Sequence, residues 1–366
     1  MENITAESTV VPVLKCNMTG THEFIFTVIP VVYVCNFVIG IVGNSMVVAV
    51  IHKYMRPTVA NVFVLNLAMS DLTFLVTVPM WATFTALGYH WPFGSFLCKA
   101  SAGLAIFNLY TSIFFLTALS VDRYLAIVHP VGSRHHRTLL YARITCVLIW
   151  IFAFILSIPT ALSRSIFKIK DHESTICGVW QDNKQIQVTM VSLSILKSVL
   201  GFLVPFLVII TCYCLMGRTL LRAKGLLRRS SRSREDVTLR MLAAAVLAFF
   251  VCWAPHQILH FMNLLAMLGV LKDCHKLDVI DTAMPFSICL AYFNSSVNPI
   301  LYSSVGRNFR KNLLRLFNCG SYQVTNRSNI STKMTSLSNR ASEVLHISGK
   351  KDLEHNACTL KELQST

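Results

Sequence analysis

Apolar residues fall in seven long stretches, Phe24–Ile51, Val59–Leu87, Ala100–Val121, Ile144–Ser163, Val188–Gly217, Met241–Val270 and Val279–Val305. Only three of them hold a formal charge, and each holds one: Asp71 in the second, Lys197 in the fifth and Asp281 in the seventh. A hydrocarbon core of about 30 Å needs roughly 20 apolar residues in a helix. Lipid offers the backbone no hydrogen-bond partner, so each stretch must satisfy itself as a helix. The alternating ten-residue pattern of an outer-membrane barrel is absent. The pattern predicts an all-α membrane protein, a seven-transmembrane helix bundle over 24–305. Around it lie an N-terminal tail (1–23), a short amphipathic membrane-surface helix (306–318) and a disordered tail (319–366).

Composition agrees. The 366 residues are 54% hydrophobic and 14% charged, against about 25% charged in a soluble domain. This argues against a soluble enzyme, a disordered chain and a disulfide-rich secreted scaffold. The net charge of +16 is unevenly placed. Basic residues follow spans 1, 3, 5 and 7 (Lys53, Arg56; Arg134, Arg137, Arg143; Arg218 to Arg240; Arg307, Arg310, Lys311, Arg315). The loops after spans 2, 4 and 6 carry fewer, balanced by Asp171, Glu173, Asp182, Asp273 and Asp278. Positive loops stay inside. The expectation is a multi-pass plasma-membrane protein with an extracellular N-terminus and a cytoplasmic C-terminus. No cleaved signal peptide precedes span 1, which reads as an uncleaved anchor. The basic run Arg228-Arg229-Ser230-Ser231-Arg232 reads as a loop near anionic lipid, not as a nucleic-acid site.

The outer tail carries two glycosylation sequons, at Asn3 and Asn17. Four cysteines lie on the outer side and admit three pairings. Cys98–Cys177 would pin the loop after span 4 over the bundle, and Cys16–Cys274 would tie the tail to the loop before span 7. Beyond span 7, Phe309, Leu313, Leu314, Leu316 and Phe317 lie largely on one helical face, opposite Arg307, Arg310, Lys311 and Arg315. Cys319 follows as a palmitoylation candidate, and the Ser- and Thr-rich tail offers phosphorylation sites.

Ionisable residues inside a span are costly, and each needs a reason. Asp71 lies about 18 Å along its helix, near the bilayer centre. Asn108, Ser112, Asn294, Ser295 and Asn298 are polar residues on spans 3 and 7 that can meet it. Together they suggest a small hydrated pocket for a sodium ion, with Asp71 as the metal ligand. Asp122-Arg123-Tyr124 closes span 3 at the cytosolic edge. Pro255 in Cys252-Trp253-Ala254-Pro255 and Pro299 in Asn298-Pro299-Ile300-Leu301-Tyr302 remove backbone donors and predict kinks in spans 6 and 7.

These motifs occur in one order: Gly43-Asn44, Leu67-Ala68-Met69-Ser70-Asp71, Asp122-Arg123-Tyr124, Trp150, Pro205, Tyr213, Cys252 to Pro255, and Asn298 to Tyr302. In that combination the chain resembles the rhodopsin-like (class A) G-protein-coupled receptors. Trp91-Pro92-Phe93-Gly94, Asp122 to Pro130, Lys197 with Gly201-Phe202, Pro255-His256-Gln257, Asp281 to Pro285 and Ser331 to Met334 look like the angiotensin II receptors. Leu156 to Thr160 and Val305 to Arg307 also look like the bradykinin receptors.

The resemblance implies that a vasoactive peptide, angiotensin II or alternatively a kinin, enters from outside and sets its C-terminal carboxylate on Lys197. Arg164 matches the second basic contact. Tyr33, Trp81, Ile288 and Tyr292 match the pocket wall, Trp253 its floor, and His256, Gln257 and Met284 its lining. Asp281 matches an acidic residue that pairs with an Arg of the ligand. A second acidic residue of the family is replaced here by Asn263. The implied switch comprises Asp71, Asn108, Asp122, Arg123, Tyr124, Tyr213, Asn294, Asn298 and Tyr302. Arg123 would release Asp122 and a heterotrimeric G protein, of Gq type, would dock. Glu235 is a candidate resting partner of Arg123. Arrestin and receptor kinases are further partners implied.

Three other classes fare worse. A transporter or channel calls for repeats and aligned intramembrane charges, and no repeat relates the two halves. A retinal protein needs a Lys in span 7, where Tyr292 stands at the expected place. An enzyme needs a nucleophile–base pair or a metal motif, and His135-His136 is neither.

Overall fold

A computed structural model describes residues 23–133, 137–168, 175–179, 184–222, 229–305 and 309–317. Span 1 is α1 (Ile25–Tyr54), span 2 is α2 (Val59–Leu75) with α3 (Val78–Ala86), span 3 is α4 (Gly94–Val128) and span 4 is α5 (Leu139–Ser163). Span 5 is α6 (Lys184–Ser198), a π-turn (Val199–Leu203) and α7 (Val204–Arg222); span 6 is α8 (Arg229–Met267) and span 7 is α9 (Cys274–Val305). Helical residues 309–317 follow as α10. Six spans are apolar enough to cross a membrane on length and composition. The seventh, α9, is 32 residues long but diluted by polar residues, of which Ser287, Asn294, Ser295, Ser296 and Asn298 are buried inside the bundle.

Side-chain placement is inverted relative to a soluble bundle. Val31, Leu148, Leu247 and Ile258 point outward at 57%, 60%, 65% and 63% exposure, while Asn44, Asp71 and Ser296 are fully buried. That arrangement is stable only where the surrounding solvent is apolar and the interior satisfies the polar groups. Two apolar clusters fill the bundle. One, toward the Asp122 end, joins Phe63, Leu67, Phe115, Leu116, Phe249 and Tyr302. The other, toward the loop after span 4, joins Ile29, Tyr33 and Phe74 with Trp81, Ile288 and Tyr292.

Helix starts follow local chemistry. Thr58 and Thr138 cap α2 and α5, their hydroxyls each accepting a backbone N–H three residues on at 3.2 Å. Close packing follows from small residues: a Cβ on Gly43 would sit 2.9 Å from Pro299, and one on Gly40 would strike Ser296 and Leu75. These two glycines let α1 lie against spans 2 and 7.

The structure departs from the expected helices in three places. Span 2 is not continuous but breaks between Leu75 and Val78. Pro79 lacks an N–H and would clash with the Leu75 carbonyl, and the Thr77 hydroxyl instead donates to the Phe74 carbonyl at 2.8 Å. Span 5 widens at the π-turn, where the Val204 N–H reaches back five residues to Val199. Pro205 forces this, since its ring crowds the Gly201 carbonyl. The all-α description needs one exception, an antiparallel hairpin of β1 (Ser165–Lys168) and β2 (Thr175–Gly178) with Ile166 opposite Cys177. These strands are four residues each, too short to stand out from a loop by periodicity.

The hairpin is anchored twice. Cys177 forms the expected disulfide with Cys98 on span 3, Cα–Cα 5.7 Å. The Trp91 N–H donates to the Thr175 carbonyl at 2.7 Å, while the Trp91 ring N–H donates to Gly94 at 2.9 Å. Gly94 adopts φ +76°, a left-handed conformation that favours glycine and starts α4. Cys274 is also disulfide-bonded; its expected partner Cys16, like Asn3, Asn17 and Cys319, lies outside the described residues. In α10, Phe309 is buried and Leu313 and Leu316 pack against the bundle, but Leu314 and Phe317 stay over half exposed. The apolar face is therefore split between the bundle and the surroundings.

Candidate functional site

Three polar centres line the axis of the bundle. At the hairpin end, Lys197 from span 5 and Arg164 at the end of span 4 lie within electrostatic range of one another. His256 and His260 of span 6 lie within range of Lys197 and stack on each other at 5.8 Å. Neither cation forms an ion pair with a carboxylate among the described residues. The Arg164 Nε is buried without a hydrogen-bond acceptor. Burial pushes the Arg164 guanidinium below its ordinary value, yet an arginine remains protonated. Two neighbouring cations without anions leave this centre short of negative charge.

The expected aromatic wall assembles beside it. Tyr33 stacks on Tyr292 at 5.6 Å, and Phe74 meets the Tyr292 edge at 4.8 Å. Trp81 packs against Trp91 at 5.4 Å with its ring N–H buried and unpaired. Ile288 joins the same cluster. Trp253 lies below, 6.0 Å from the His256 ring, and its ring N–H is also buried and unpaired. His256 meets the Ser287 hydroxyl at 3.4 Å, and Ser287 in turn donates to the Met284 carbonyl at 2.7 Å. Gln257 accepts from Ser198 at 3.4 Å while its amide nitrogen has no partner. Asp281 is exposed at the rim, and its side chain has no ion-pair partner among the described residues.

Midway down, Asp71 is enclosed by donors. One carboxylate oxygen accepts from Asn108 at 3.0 Å and Ser112 at 3.5 Å, and the other accepts from Asn298 at 3.1 Å. Ser295 closes the ring by donating to the side-chain amide oxygen (Oδ1) of Asn108 at 3.0 Å. Asn294 is brought close but not in: both its side-chain polar atoms are buried without partners, as is the Asn298 amide oxygen. Asp71 is held by two amide N–H groups and one hydroxyl, and the unsatisfied amide oxygens of Asn294 and Asn298 beside it are oxygen ligands of the kind that a hard cation or an ordered water takes.

At the far end, Arg123 pairs with its neighbour Asp122 at 3.2 Å. Asp122 also takes a two-pronged grip from Arg137, Nε at 2.8 Å and Nη2 at 3.1 Å. Tyr124 instead turns to His129 at 3.2 Å. The Tyr213 and Tyr302 hydroxyls are buried and unpaired. The side chain of Glu235 lies outside the described residues.

Several participants escaped the sequence reading. Arg137 looked like one more basic loop residue; no helical spacing links it to Asp122, and only the turn of the loop brings them together. Ser70 and Thr111 share a buried hydroxyl contact beside Asn108, and Ser and Thr are too common in membrane helices to stand out. His260 did carry a signal, since it lies one helical turn beyond His256.

Residues 43–302 match the 7 transmembrane receptor (rhodopsin family). The chain is 47% identical over 337 residues to the Type-1 angiotensin II receptor of Bos taurus, covering 92% of this chain and 93% of that one. It is 45% identical over 338 residues to the Type-1 angiotensin II receptor A of Xenopus laevis, 92% of each. It is 46% identical over 352 residues to the Type-1 angiotensin II receptor of Gallus gallus, 95% of this chain and 97% of that one. A helical bundle with a polar axis thus takes its place beside known receptors: the chain belongs to the rhodopsin family of seven-transmembrane receptors, and is a multi-pass membrane receptor.

Proposed function

We propose that the chain is a cell-surface receptor for angiotensin II, the peptide named in the descriptions of its relatives. The observation that carries this is the pair Lys197 and Arg164, two cations with no carboxylate partner among the described residues. A peptide's C-terminal carboxylate supplies the missing anion through charge-assisted hydrogen bonds. Its aromatic end packs on Tyr33, Trp81, Ile288 and Tyr292 above Trp253, with His256, Gln257 and Met284 alongside. Asp281 at the rim receives a ligand Arg. Asn263 removes the second carboxylate, so that Arg has one anionic contact instead of two.

In this reading the hairpin end is extracellular and the Asp122 end cytosolic, as the basic loops favour. Peptide binds the active arrangement more tightly than the resting one, and that difference is the driving force. Sodium at Asp71 favours rest. On activation Arg123 leaves Asp122, Tyr213 and Tyr302 approach it with their free hydroxyls, and a Gq-type G protein docks. Receptor kinases and arrestin then act on the Ser- and Thr-rich tail. Residues 1–23 form the glycosylated outer tail, 24–305 the bundle, 306–318 the surface helix with palmitate at Cys319, and 319–366 the cytoplasmic tail.

The test is calcium release in cells expressing the chain, with angiotensin II and bradykinin applied in parallel. A response to angiotensin II alone is expected. A response to bradykinin alone moves the assignment to a kinin receptor, and agonist-driven ion flux in vesicles without a G protein would indicate a transporter or channel.

A further inference from the structure

A cavity of about 280 Å³ lies on the flank of the bundle between spans 2, 3 and 4, bordering the third centre at Asp122 and Arg137. Its walls are mostly apolar, with Phe63, Phe114, Ala118, Val121 and Leu125, and Thr117 and Thr145 stand among them. Its mouth carries the bidentate Asp122–Arg137 pair and Tyr141. Tyr141 is 48% exposed, so the cavity opens outward onto the surface that meets lipid. Asp122 is 5% exposed and the Arg137 side chain 26%. Apolar depth and a charged lip at a membrane interface describe the negative image of an amphiphile.

Arg137 has spare capacity. The contacts to Asp122 use its Nε and one Nη2 hydrogen. A guanidinium has five donors, and among the described residues the edge formed by Nη1 and Nη2 has no other acceptor, which suits it to grip a second carboxylate. The volume falls just below the range of about 300–1,000 Å³ typical of drug-sized ligands, which suits one hydrocarbon chain rather than a fused-ring body or two chains.

We propose that this cavity binds a long-chain fatty acid from the adjacent leaflet, its chain among Phe63, Phe114 and Ala118 and its carboxylate on the outer edge of Arg137. Bound there, the second carboxylate shares the single positive charge of Arg137 with Asp122 and so weakens, without displacing, the grip on the residue that also pairs with Arg123. The site itself requires only that the Asp122 end lie at a membrane interface. Its link to signalling rests on the receptor reading above.

The test uses the full chain in nanodiscs of neutral phospholipid and a diazirine-bearing oleic acid. Photolabelling should be saturable, map to spans 3 and 4, and fall at least tenfold in Ala118→Trp, which fills the cavity. Val121→Phe serves the same purpose should Ala118→Trp fail to fold; a monodisperse elution profile and a thermal-unfolding midpoint near that of the wild type certify either variant. Oleate should displace the probe, while methyl oleate, lacking the charge, should need at least tenfold more. Labelling that is unsaturable or unchanged in both variants overturns the proposal. So does equal displacement by methyl oleate, or displacement by phosphatidylserine as readily as by oleate, which would make the occupant a bilayer lipid. Because labelling does not depend on any hormone, loss of the angiotensin assignment leaves this result readable.

Discussion

Asp71 is the most constrained side chain in the bundle. It is fully buried and held by Asn108, Ser112 and Asn298. A buried carboxylate is tolerated only when paired and hydrogen-bonded. Asp71→Asn keeps the shape but removes the charge that attracts a cation. Agonist affinity in the wild type should fall as sodium replaces a bulky organic cation in the buffer, and the variant should show no such dependence; a sodium effect that survives the substitution would remove Asp71 from the ion site. Arg123→Ala should leave peptide binding largely intact and abolish agonist-driven nucleotide exchange, and normal exchange would end its assignment as a switch. Asn263→Asp restores a second anion at the mouth. It should tighten an Arg-containing peptide by about 1 kcal/mol or less, as expected for a solvent-exposed pair, and unchanged dissociation rates would show that the side chain does not face the ligand. Asp71 and Lys197 were legible because charge in an apolar run is conspicuous, and Arg123 because Asp122-Arg123-Tyr124 closes span 3. Arg137, Ser70 and Thr111 were not, because a basic loop residue and a membrane Ser or Thr are each ordinary until folding brings them to a partner.

Within the helices, the informative residues are those that interrupt. Pro79 divides span 2 and Pro205 opens the π-turn in span 5, although both lie within stretches that read as single apolar runs. Hydrophobicity reports where a helix crosses and is blind to where its hydrogen bonds are rerouted. The hairpin was hidden for another reason. Its strands are set by the Cys98–Cys177 bond and by the Trp91 contact to Thr175, both long-range. Close helix contact was likewise hidden in Gly43, whose meaning depends on Pro299 across the interface. Gly43→Leu should push α1 away from span 7 and cost on the order of 1–3 kcal/mol, the range for overpacking. Its midpoint of thermal inactivation in detergent should drop while Thr58→Ala, which removes only a cap, should shift it less; the reverse order would mean α1 adapts freely.

Taken as one body, the receptor joins a cation pair at the hairpin end, a central polar ring and an ion-pair cluster at the Asp122 end along one axis. The cation pair has no anion among the described residues, the central ring has unsatisfied amide oxygens, and Asp122 is shared between two arginines. Each centre therefore has an alternative arrangement available to it, which is what a population shift requires. The most direct measurement compares angiotensin II as the free acid with its C-terminal amide, on the wild type and on Lys197→Gln. A charge-assisted bond of about 1.5–3 kcal/mol corresponds to roughly 10- to 150-fold in affinity. The free acid should exceed the amide by that factor on the wild type, and the gap should collapse in Lys197→Gln. Equal affinity of acid and amide on the wild type would contradict capture of the carboxylate by the Lys197 centre.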